Sequence, residues 1–234
     1  MTGKDKPNIV WIMADDLSWS DLGCYGQKKI ETPNLDKLAE QGMRFTQCYS
    51  GSTVCAPSRS SLMQGLHQGH ATVRNNFKDG YRHCLMPDDV TVAEVLKSSG
   101  YTTGLFGKWG LAVGDQPTVP NTKGFDEFYG YLNQRKAHNY YPEYLWHNRE
   151  MVRYPQHVGH DATKPNDYDE KGHIIANGVA DQSELRYAFD EYKNAMLDFV
   201  RKNREEPFLL YFASTLPHGH FEVPELGAYK DLDW

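Results

Sequence analysis

Residues 8–13 read Asn-Ile-Val-Trp-Ile-Met, a nearly continuous apolar run that leads to the paired carboxylates of Asp15 and Asp16. A run of this kind is typical of a β-strand buried on both faces of a parallel sheet. Residues 208–214 (Phe-Leu-Leu-Tyr-Phe-Ala-Ser) have the same character, and residues 101–106 indicate a further strand. These runs predict strands of a single parallel sheet.

Predicted helices separate the strands. Thr32 is an N-cap residue, Pro33 suits the first helical position and Gly42 ends that helix. Residues 88–99 predict another helix, which Gly100 closes. A helix of about five turns is predicted from Ser183 onwards by apolar residues at i, i+3 and i+4 spacing: Leu185, Ala188, Phe189, Tyr192, Ala195, Met196, Phe199 and Val200. Alternating strands and helices predict an α/β fold, with a mostly parallel central sheet flanked by helices.

Residues 112–180 interrupt this alternation. They are rich in Tyr, His, Asn, Asp and Gly and show little periodicity. An irregular stretch of this length is more often a functional insertion than a connector. Ligand sites in open α/β sheets lie at the carboxyl ends of strands, and this segment follows one such end at Gly107-Lys108. We therefore expect one domain over residues 1–234, with residues 112–180 on its substrate side.

Composition limits the classes of partner. The chain has 234 residues and a net charge of −6, which argues against general binding of nucleic acid or anionic membranes. An anionic substrate would therefore need a local basic pocket. No apolar run approaches the ~18–20 residues of a membrane span. Residues 1–6 lack the apolar core of a signal peptide, so location stays open. A periplasmic or secreted protein is expected if a signal has been removed.

The cysteines favour neither zinc nor a disulfide framework. Cys24, Cys48, Cys55 and Cys84 show no CxxC spacing, so we do not expect a zinc site. Cys24 and Cys48 are expected to be buried free thiols.

Residues 55–59 read Cys-Ala-Pro-Ser-Arg and lead into a predicted short helix over residues 58–63. The free N–H groups and the dipole of a helix N-terminus favour negative charge, so Cys55 lies where an anion would bind. Arg59 follows one helical turn later, on the same face. The spacing argues against phosphatases of the Cys-x5-Arg type, which need five residues between the two side chains.

Further polar residues follow the predicted strands. Asp15 and Asp16 are hard oxygen ligands that suit Ca²⁺ or Mg²⁺, although adjacent aspartates are often solvated turns or caps. Lys108 follows the strand over residues 101–106, and His218 and His220 follow the strand over residues 208–214. A lysine or histidine at such a position is often only solvated.

Cys-x-Pro-Ser-Arg, followed by Leu62 and Gly65, resembles the signature of the type I sulfatases, in the alkaline-phosphatase-like superfamily. Other segments resemble the same family in the same order: Pro7–Val10 with Asp15 and Asp16, Thr32–Ala39 with Gly42 and Phe45, Gly100-Tyr101 with Gly107-Lys108-Trp109, and Pro217-His218. The resemblance implies a hydrolase of sulfate esters, of the arylsulfatase type. Polar and aromatic residues between Tyr129 and Tyr154 suit sugar recognition, and equally suit packing, so sulfated carbohydrate is the expected substrate class.

The resemblance also implies a modified nucleophile and a metal. Cys55 would be oxidised to formylglycine by a formylglycine-generating or maturase enzyme, and the aldehyde hydrate would attack sulfur. Asp15, Asp16 and the formylglycine at position 55 would bind Ca²⁺, with Mg²⁺ as the other candidate. Cys55 is thus both a catalytic and a metal-binding residue in this interpretation.

The resemblance assigns sulfate binding and assistance to the leaving group to basic residues. Lys108 and Arg59 would stabilise the sulfuryl oxygens, and His218 would assist departure of the alcohol. Gly110 stands where many members have a histidine that contacts the nucleophile, so another residue or water must take that place. Arg135 and His138 lie in the aromatic segment and are candidates for substrate contact.

Family members are considerably longer, and their second half supplies an Asp-Asn pair to the metal and a second lysine to the sulfate. No such segment follows His218, so we expect the N-terminal part of a longer enzyme. Two alternatives stay open. One is a phosphomonoester, phosphodiester or phosphonate hydrolase of the same superfamily. The other is a non-catalytic module that binds sulfated glycans, if Cys55 is unmodified.

Overall fold

The structure is a computed structural model that describes residues 6–114 and 116–232. Short 3-10 helices and loops connect its regular elements. In chain order these are β1 (Ile9–Asp15), α1 (Pro33–Gln41), α2 (Cys55–Gln64), β2 (Phe77–Lys78), β3 (Tyr81–Arg82), α3 (Val92–Ser98), β4 (Thr102–Lys108), β5 (Glu127–Tyr131), β6 (Tyr144–His147), β7 (Glu150–Arg153), β8 (Asp167–Tyr168), β9 (Ile174–Ile175), α4 (Ala188–Asn203) and β10 (Phe208–Pro217).

A six-stranded sheet forms the centre of the fold, in the order β1-β10-β4-β5-β6-β7. The first four of these strands are parallel to one another, and β6 and β7 are antiparallel to their neighbours. Two small antiparallel pairs, β2-β3 and β8-β9, lie outside this sheet. The predicted α/β class with a mostly parallel sheet is confirmed.

Helices cover both faces of the sheet. On one face, Tyr211 of β10 belongs to a core that includes residues of α2 and α3. On the other face, Phe106 packs against Phe199 of α4, with ring centroids 5.5 Å apart. Phe212 packs against Tyr192 of the same helix, at 5.8 Å. Alternate residues of one strand therefore enter two different cores, as the pleat requires.

Strand β1 corrects the sequence interpretation. Trp11 and Met13 pack on the α2 side, but Val10 and Ile12 point to the other face and are 50% and 67% exposed. The strand lies at the edge of the sheet, whereas α4 packs on β4, β5 and β10. The expectation of burial on both faces is therefore correct for β10 and wrong for β1.

Three predicted helix starts also move. Helix α3 begins at Val92 rather than at residue 88. Helix α2 begins at Cys55 rather than at Ser58, so the cysteine is in the first turn. Helix α4 begins at Ala188 rather than at Ser183. Residues 182–184 instead form a separate 3-10 helix, whose N-cap Asp181 accepts hydrogen bonds from Ser183. The Arg186 backbone N–H donates to His157.

Residues 112–180 are more regular than their sequence suggests. They contribute β5, β6 and β7 to the central sheet and form the small β8-β9 pair. Among the cysteines, Cys48 is exposed and Cys24 is partly buried, so the predicted burial of Cys48 is wrong. No helix within residues 6–114 and 116–232 has the length and apolar character needed to cross a membrane.

A buried carboxylate fastens the segment before α4 to the loop after β10. Glu222 accepts hydrogen bonds from the Tyr140 backbone N–H at 2.9 Å, from His160 Nε2 at 2.8 Å and from Asn166 Nδ2 at 2.8 Å. Burial would raise the pKa of Glu222, but these donors lower it below its usual value. Burial would lower the pKa of His160, but the bond to Glu222 raises it above its usual value.

Glu222→Gln should lower the free energy of unfolding by about 1–3 kcal/mol, because a buried charged acceptor is lost. The contribution of Glu222 to the free energy of unfolding is present above about pH 4.3. It is lost as the pH falls through the lowered pKa of Glu222 in the folded protein. The His160 contribution is present below about pH 6.5 and is lost as the pH rises through its raised folded pKa. Urea unfolding across this range should therefore show the largest deficit of the variant between these two limits.

The matched control for that measurement is Glu205→Gln, since Glu205 is exposed beside Arg204. We expect this control to follow the parent protein at every pH. A deficit for Glu222→Gln that stays constant across the pH range would show that the carboxylate acts through its shape and not through its charge.

Candidate active site

Three strand ends meet at one edge of the sheet. Asp15 is the last residue of β1, Lys108 is the last residue of β4, and His218 follows β10 directly. Because β10 lies between β1 and β4 and all three strands are parallel, their carboxyl ends are adjacent. The register brings Asp15 opposite Pro217, next to His218. Side chains far apart in the sequence therefore converge.

The centre of this edge is a buried cluster of charges. Lys108 Nζ donates to Asp15 Oδ2 at 2.6 Å. An Arg59 guanidinium nitrogen donates to the Lys108 carbonyl at 2.7 Å, and the other lies 3.7 Å from Asp15 Oδ1. Asp15, Arg59 and Lys108 are only 5%, 2% and 0% exposed. Two cations thus share one carboxylate in the interior.

This arrangement shifts the pKa of both members of the Asp15–Lys108 ion pair. Burial would raise the pKa of Asp15, but Lys108 and Arg59 hold it below its ordinary value. Burial and the nearby Arg59 lower the pKa of Lys108, while Asp15 and Cys55 oppose that shift. A buried site with more cationic than anionic groups gains when a further anion binds.

Cys55 lies where the sequence interpretation expected it. It occupies the first turn of α2, after the N-cap residue Val54, and is partly exposed. A cavity of about 350 Å³ opens in front of it and is shared with Asp15, Asp16 and Arg59. The nucleophile candidate, the carboxylates and a guanidinium therefore border one space at a helix N-terminus.

His218 joins this group from the β10 side. Its Nε2 lies 3.3 Å from Asp16 Oδ2, and its ring stacks on that of His138 with centroids 3.9 Å apart and an angle of 17°. Burial, followed by the positive charge of Lys108, lowers the pKa of His138 to about 4. His138 is therefore a neutral ring against His218 at neutral pH. His220 instead borders a second cavity, described below.

The space beside Gly110 is occupied by another residue. Gly110 has a φ of +74°, and a Cβ built on it would lie 2.3 Å from Gln134 Oε1 and 3.4 Å from Arg59 Cδ. Gln134 is 3% exposed, and neither of its amide atoms has a hydrogen-bond partner; the same is true of Arg59 Nε. An amide thus takes the place of a side chain at position 110, close to Arg59.

The carboxylates of Asp15 and Asp16 are the type of ligand that a hard cation prefers, but two carboxylates are too few to complete its coordination shell. Within the described parts of the chain, no group of three or more His, Cys, Asp and Glu side chains is arranged to hold a metal. Asp15 and Asp16 do offer hard oxygen donors on one cavity, which suits Ca²⁺ or Mg²⁺. Ca²⁺ takes about 6–8 oxygens, so these residues would form only part of its coordination shell.

The structure therefore brings together Asp15, Asp16, Cys55, Arg59, Lys108 and His218. Sequence reasoning missed Gln134, and it missed Arg82, which borders the second cavity with Arg135 and His138. A buried amide and an arginine of a short hairpin carry no sequence signal of their own. A glycine at position 110 was the one indication that something else fills that space.

Gly110→Ala should lower the free energy of unfolding by about 2–4 kcal/mol, because a methyl group would collide with Gln134 and a positive φ is strained for alanine. Gly114→Ala is the matched control, since Gly114 has a φ of +56° but open space around its Cα. Adding Gln134→Ala should relieve the collision and recover the part of the loss at position 110 that exceeds the loss at position 114 in urea unfolding. An equal loss at positions 110 and 114 would contradict the collision.

Comparison with known proteins identifies the family of the chain. Residues 7–231 match the family model described as Sulfatase. The chain is 33% identical over 227 residues to N-acetylgalactosamine-6-sulfatase of Rattus norvegicus, covering 91% of this chain and 40% of that protein. It is 46% identical over 130 residues to arylsulfatase A of Homo sapiens, covering 53% of this chain and 25% of that protein.

A solved structure gives the same result. The fold is similar to that of Ps i-CgsB, solved in complex with k-i-k-neocarrahexaose, with a TM-score of 0.72 and 29% identity over 93% of this chain and 47% of that one. The chain thus spans less than half the length of each of these three relatives. Because the Sulfatase family model matches nearly the whole of this chain, the chain belongs to the sulfatase family.

Proposed function

We propose that this chain carries catalytic residues of a sulfuric ester hydrolase that acts on sulfated carbohydrate. The observation that carries the proposal is the buried pair of cations, Lys108 and Arg59, around one carboxylate beside Cys55 at a helix N-terminus. Such a site is suited to a compact anion with several oxygens. The names of the sulfatase relatives and the carbohydrate complex of Ps i-CgsB support the substrate class.

Lys108 and Arg59 would bind and orient the sulfuryl group. Lys108 offers a point charge and Arg59 offers a planar fork, which together match oxygens that gain negative charge in the transition state. Both side chains are held before substrate arrives, Lys108 by Asp15 and Arg59 by the Lys108 carbonyl. Little reorganisation is then needed when charge develops on the sulfate.

Cys55 is the proposed position of the nucleophile. Converted to formylglycine by a maturation enzyme, it would supply a hydrated aldehyde whose hydroxyl attacks sulfur. The first backbone N–H groups of α2 lie beside it and favour an anionic oxygen at that position. Arg59, one turn further along the helix, adds positive charge on the same cavity.

Asp15 and Asp16 would hold a divalent cation, Ca²⁺ or Mg²⁺, together with the oxygen at position 55. When bound, that ion would favour the ionised form of the nucleophile. The other ligands would come from residues beyond this pair, since Ca²⁺ takes about 6–8 oxygens.

His218 would assist the leaving group. Its Nδ1 donates to the Gly219 carbonyl at 2.5 Å and its Nε2 is 3.3 Å from Asp16 Oδ2, so the imidazolium form would carry its second proton at Nε2, toward the cavity edge. The stacked ring of His138 restrains the imidazole plane. A proton held at Nε2 could pass to the alcohol oxygen as the sulfur–oxygen bond breaks.

Cys55→Ala in the full-length protein should lower kcat for sulfate release by about a thousandfold or more, because the nucleophile is removed. Cys48→Ala is the matched control, since Cys48 is an exposed thiol. Mass spectrometry of the tryptic peptide that contains residue 55 should show aldehyde in place of thiol.

Substrates in this test are the sulfate and phosphate monoesters of 4-nitrophenol. Faster turnover of the phosphate ester would favour a phosphoester hydrolase of the same superfamily. Unmodified cysteine together with absent turnover would instead favour a binding module. Near-normal sulfate release by Cys55→Ala would reject the nucleophile.

Asp16→Asn should weaken binding of Ca²⁺ by about tenfold or more in the full-length protein, because an anionic ligand becomes neutral. The Asp16 side chain is 68% exposed, so the substitution should leave folding intact. Asp198→Asn, on the exposed surface of α4, is the control. Calorimetric titration with Ca²⁺ and elemental analysis measure the effect, and unchanged metal content would remove Asp16 from the ligand set.

A further inference from the structure

A second cavity, of about 530 Å³, lies beside the proposed reaction centre and is lined by basic side chains. We call it the basic pocket. Arg82, Arg135, Lys136, His138 and His220 border it, and no aspartate or glutamate of the described residues contributes to its wall. The chain as a whole has a net charge of −6, so this local excess of cations runs against the overall composition.

The cations of the basic pocket have no carboxylate partners. Within residues 6–114 and 116–232, Arg82, Arg135 and Lys136 take part in none of the ion pairs. Elsewhere, exposed cations such as Arg201 pair with an acid on their own helix. Arg82 and Arg135 border the same cavity, and burial and then the charge of Arg135 lower the pKa of Arg82. An anion bound in the cavity would offset this repulsion between like charges.

Arg82 is held in position by its hairpin. Strands β2 and β3 pair so that Phe77 lies directly opposite Arg82. The guanidinium lies over the Phe77 ring, 4.2 Å from its centroid. Stacking on an aromatic ring fixes the plane of the fork and leaves its edge free to donate hydrogen bonds.

The basic pocket is connected to the reaction centre through two histidines. His138 borders the pocket, and its ring stacks on that of His218 at 3.9 Å. His218 in turn contacts Asp16. The histidine pair therefore lies between the basic pocket and Asp16, which borders the cavity at Cys55.

We propose that the basic pocket binds a second sulfate ester of the glycan, with Arg82 and Arg135 donating to its oxygens. The proposal rests on the sulfatase function proposed above and narrows its substrate to glycans that carry more than one sulfate. Two guanidinium forks and the Lys136 ammonium offer more donors than one carboxylate can accept. The three terminal oxygens of a sulfate ester match them better.

The test measures binding without turnover, in full-length protein that carries Cys55→Ala. The probes are two chondroitin disaccharides with the same uronate, one sulfated at the 6-position and the other at the 4- and 6-positions. Arg82→Ala and Arg135→Ala should each weaken binding of the doubly sulfated probe by about tenfold or more, as expected for a charge-assisted hydrogen bond. Binding of the singly sulfated probe should change by less than about twofold, because it lacks the contacted group.

Arg201→Ala is the matched control, because Arg201 is an exposed arginine on α4, and it should affect neither probe. Arg135 is exposed, so its variant keeps the test valid if Arg82→Ala fails to fold. Arg82→Lys should give an intermediate loss, since the charge remains and the fork is lost.

Several outcomes would overturn the proposal. Equal binding of the two probes to the parent protein would reject a site for the second sulfate. Equal weakening of both probes would assign the pocket to the uronate carboxylate that they share. Binding of the doubly sulfated probe could depend on Arg82 and Arg135 while the full-length protein that keeps Cys55 fails to turn over sulfate esters. That result would reject the proposed function and retain the pocket. Turnover without that dependence would reject the pocket alone.

Discussion

The buried pair between Lys108 Nζ and Asp15 Oδ2, 2.6 Å apart, is the interaction around which the site is organised. Neither charge would be stable alone in the interior, since an isolated buried ion is expensive to desolvate. Each therefore requires the other, and both require that β1 and β4 end at the same edge. Arg59 makes the cluster net positive, and this excess of positive charge would favour a bound anion.

Strand order is what allows that pair to form. Asp15 and Lys108 are separated by 93 residues along the chain, and β1 and β4 are not direct neighbours in the sheet. The last strand, β10, inserts between them and brings His218 to the same edge. The site is thus complete at this edge only after the most distant pairing of the chain has formed. Such long-range pairing is slow compared with local helix formation, so we infer that the site forms late in folding.

The sequence predicted those features that depend on local pattern. Apolar runs predicted β1, β4 and β10, whereas Asp15, Lys108 and His218 were singled out from the polar residues after these strands by the family resemblance; parallel strands that end together explain why the three lie at one edge. The sequence did not predict features that depend on contacts with distant parts of the chain. The exposed face of β1 depends on how far α4 extends across the sheet, and the segment just before α4 donates a hydrogen bond to His157. Gln134 fills the space above Gly110 only because two loops meet there.

In the function and the binding pocket proposed above, different kinds of element would carry chemistry and recognition. Lys108 and Arg59 lie on a strand end and a helix, where packing fixes them to within small displacements. Arg82 and Arg135 lie on a short hairpin and a loop, which can change in sequence without disturbing the sheet. The stacked rings of His138 and His218 lie between the two groups. In the proposed function the strand ends would keep one reaction while the neighbouring loops would determine which glycan brings its sulfate to Lys108, so differences in substrate among relatives should map to residues such as Arg82 and not to the strand ends.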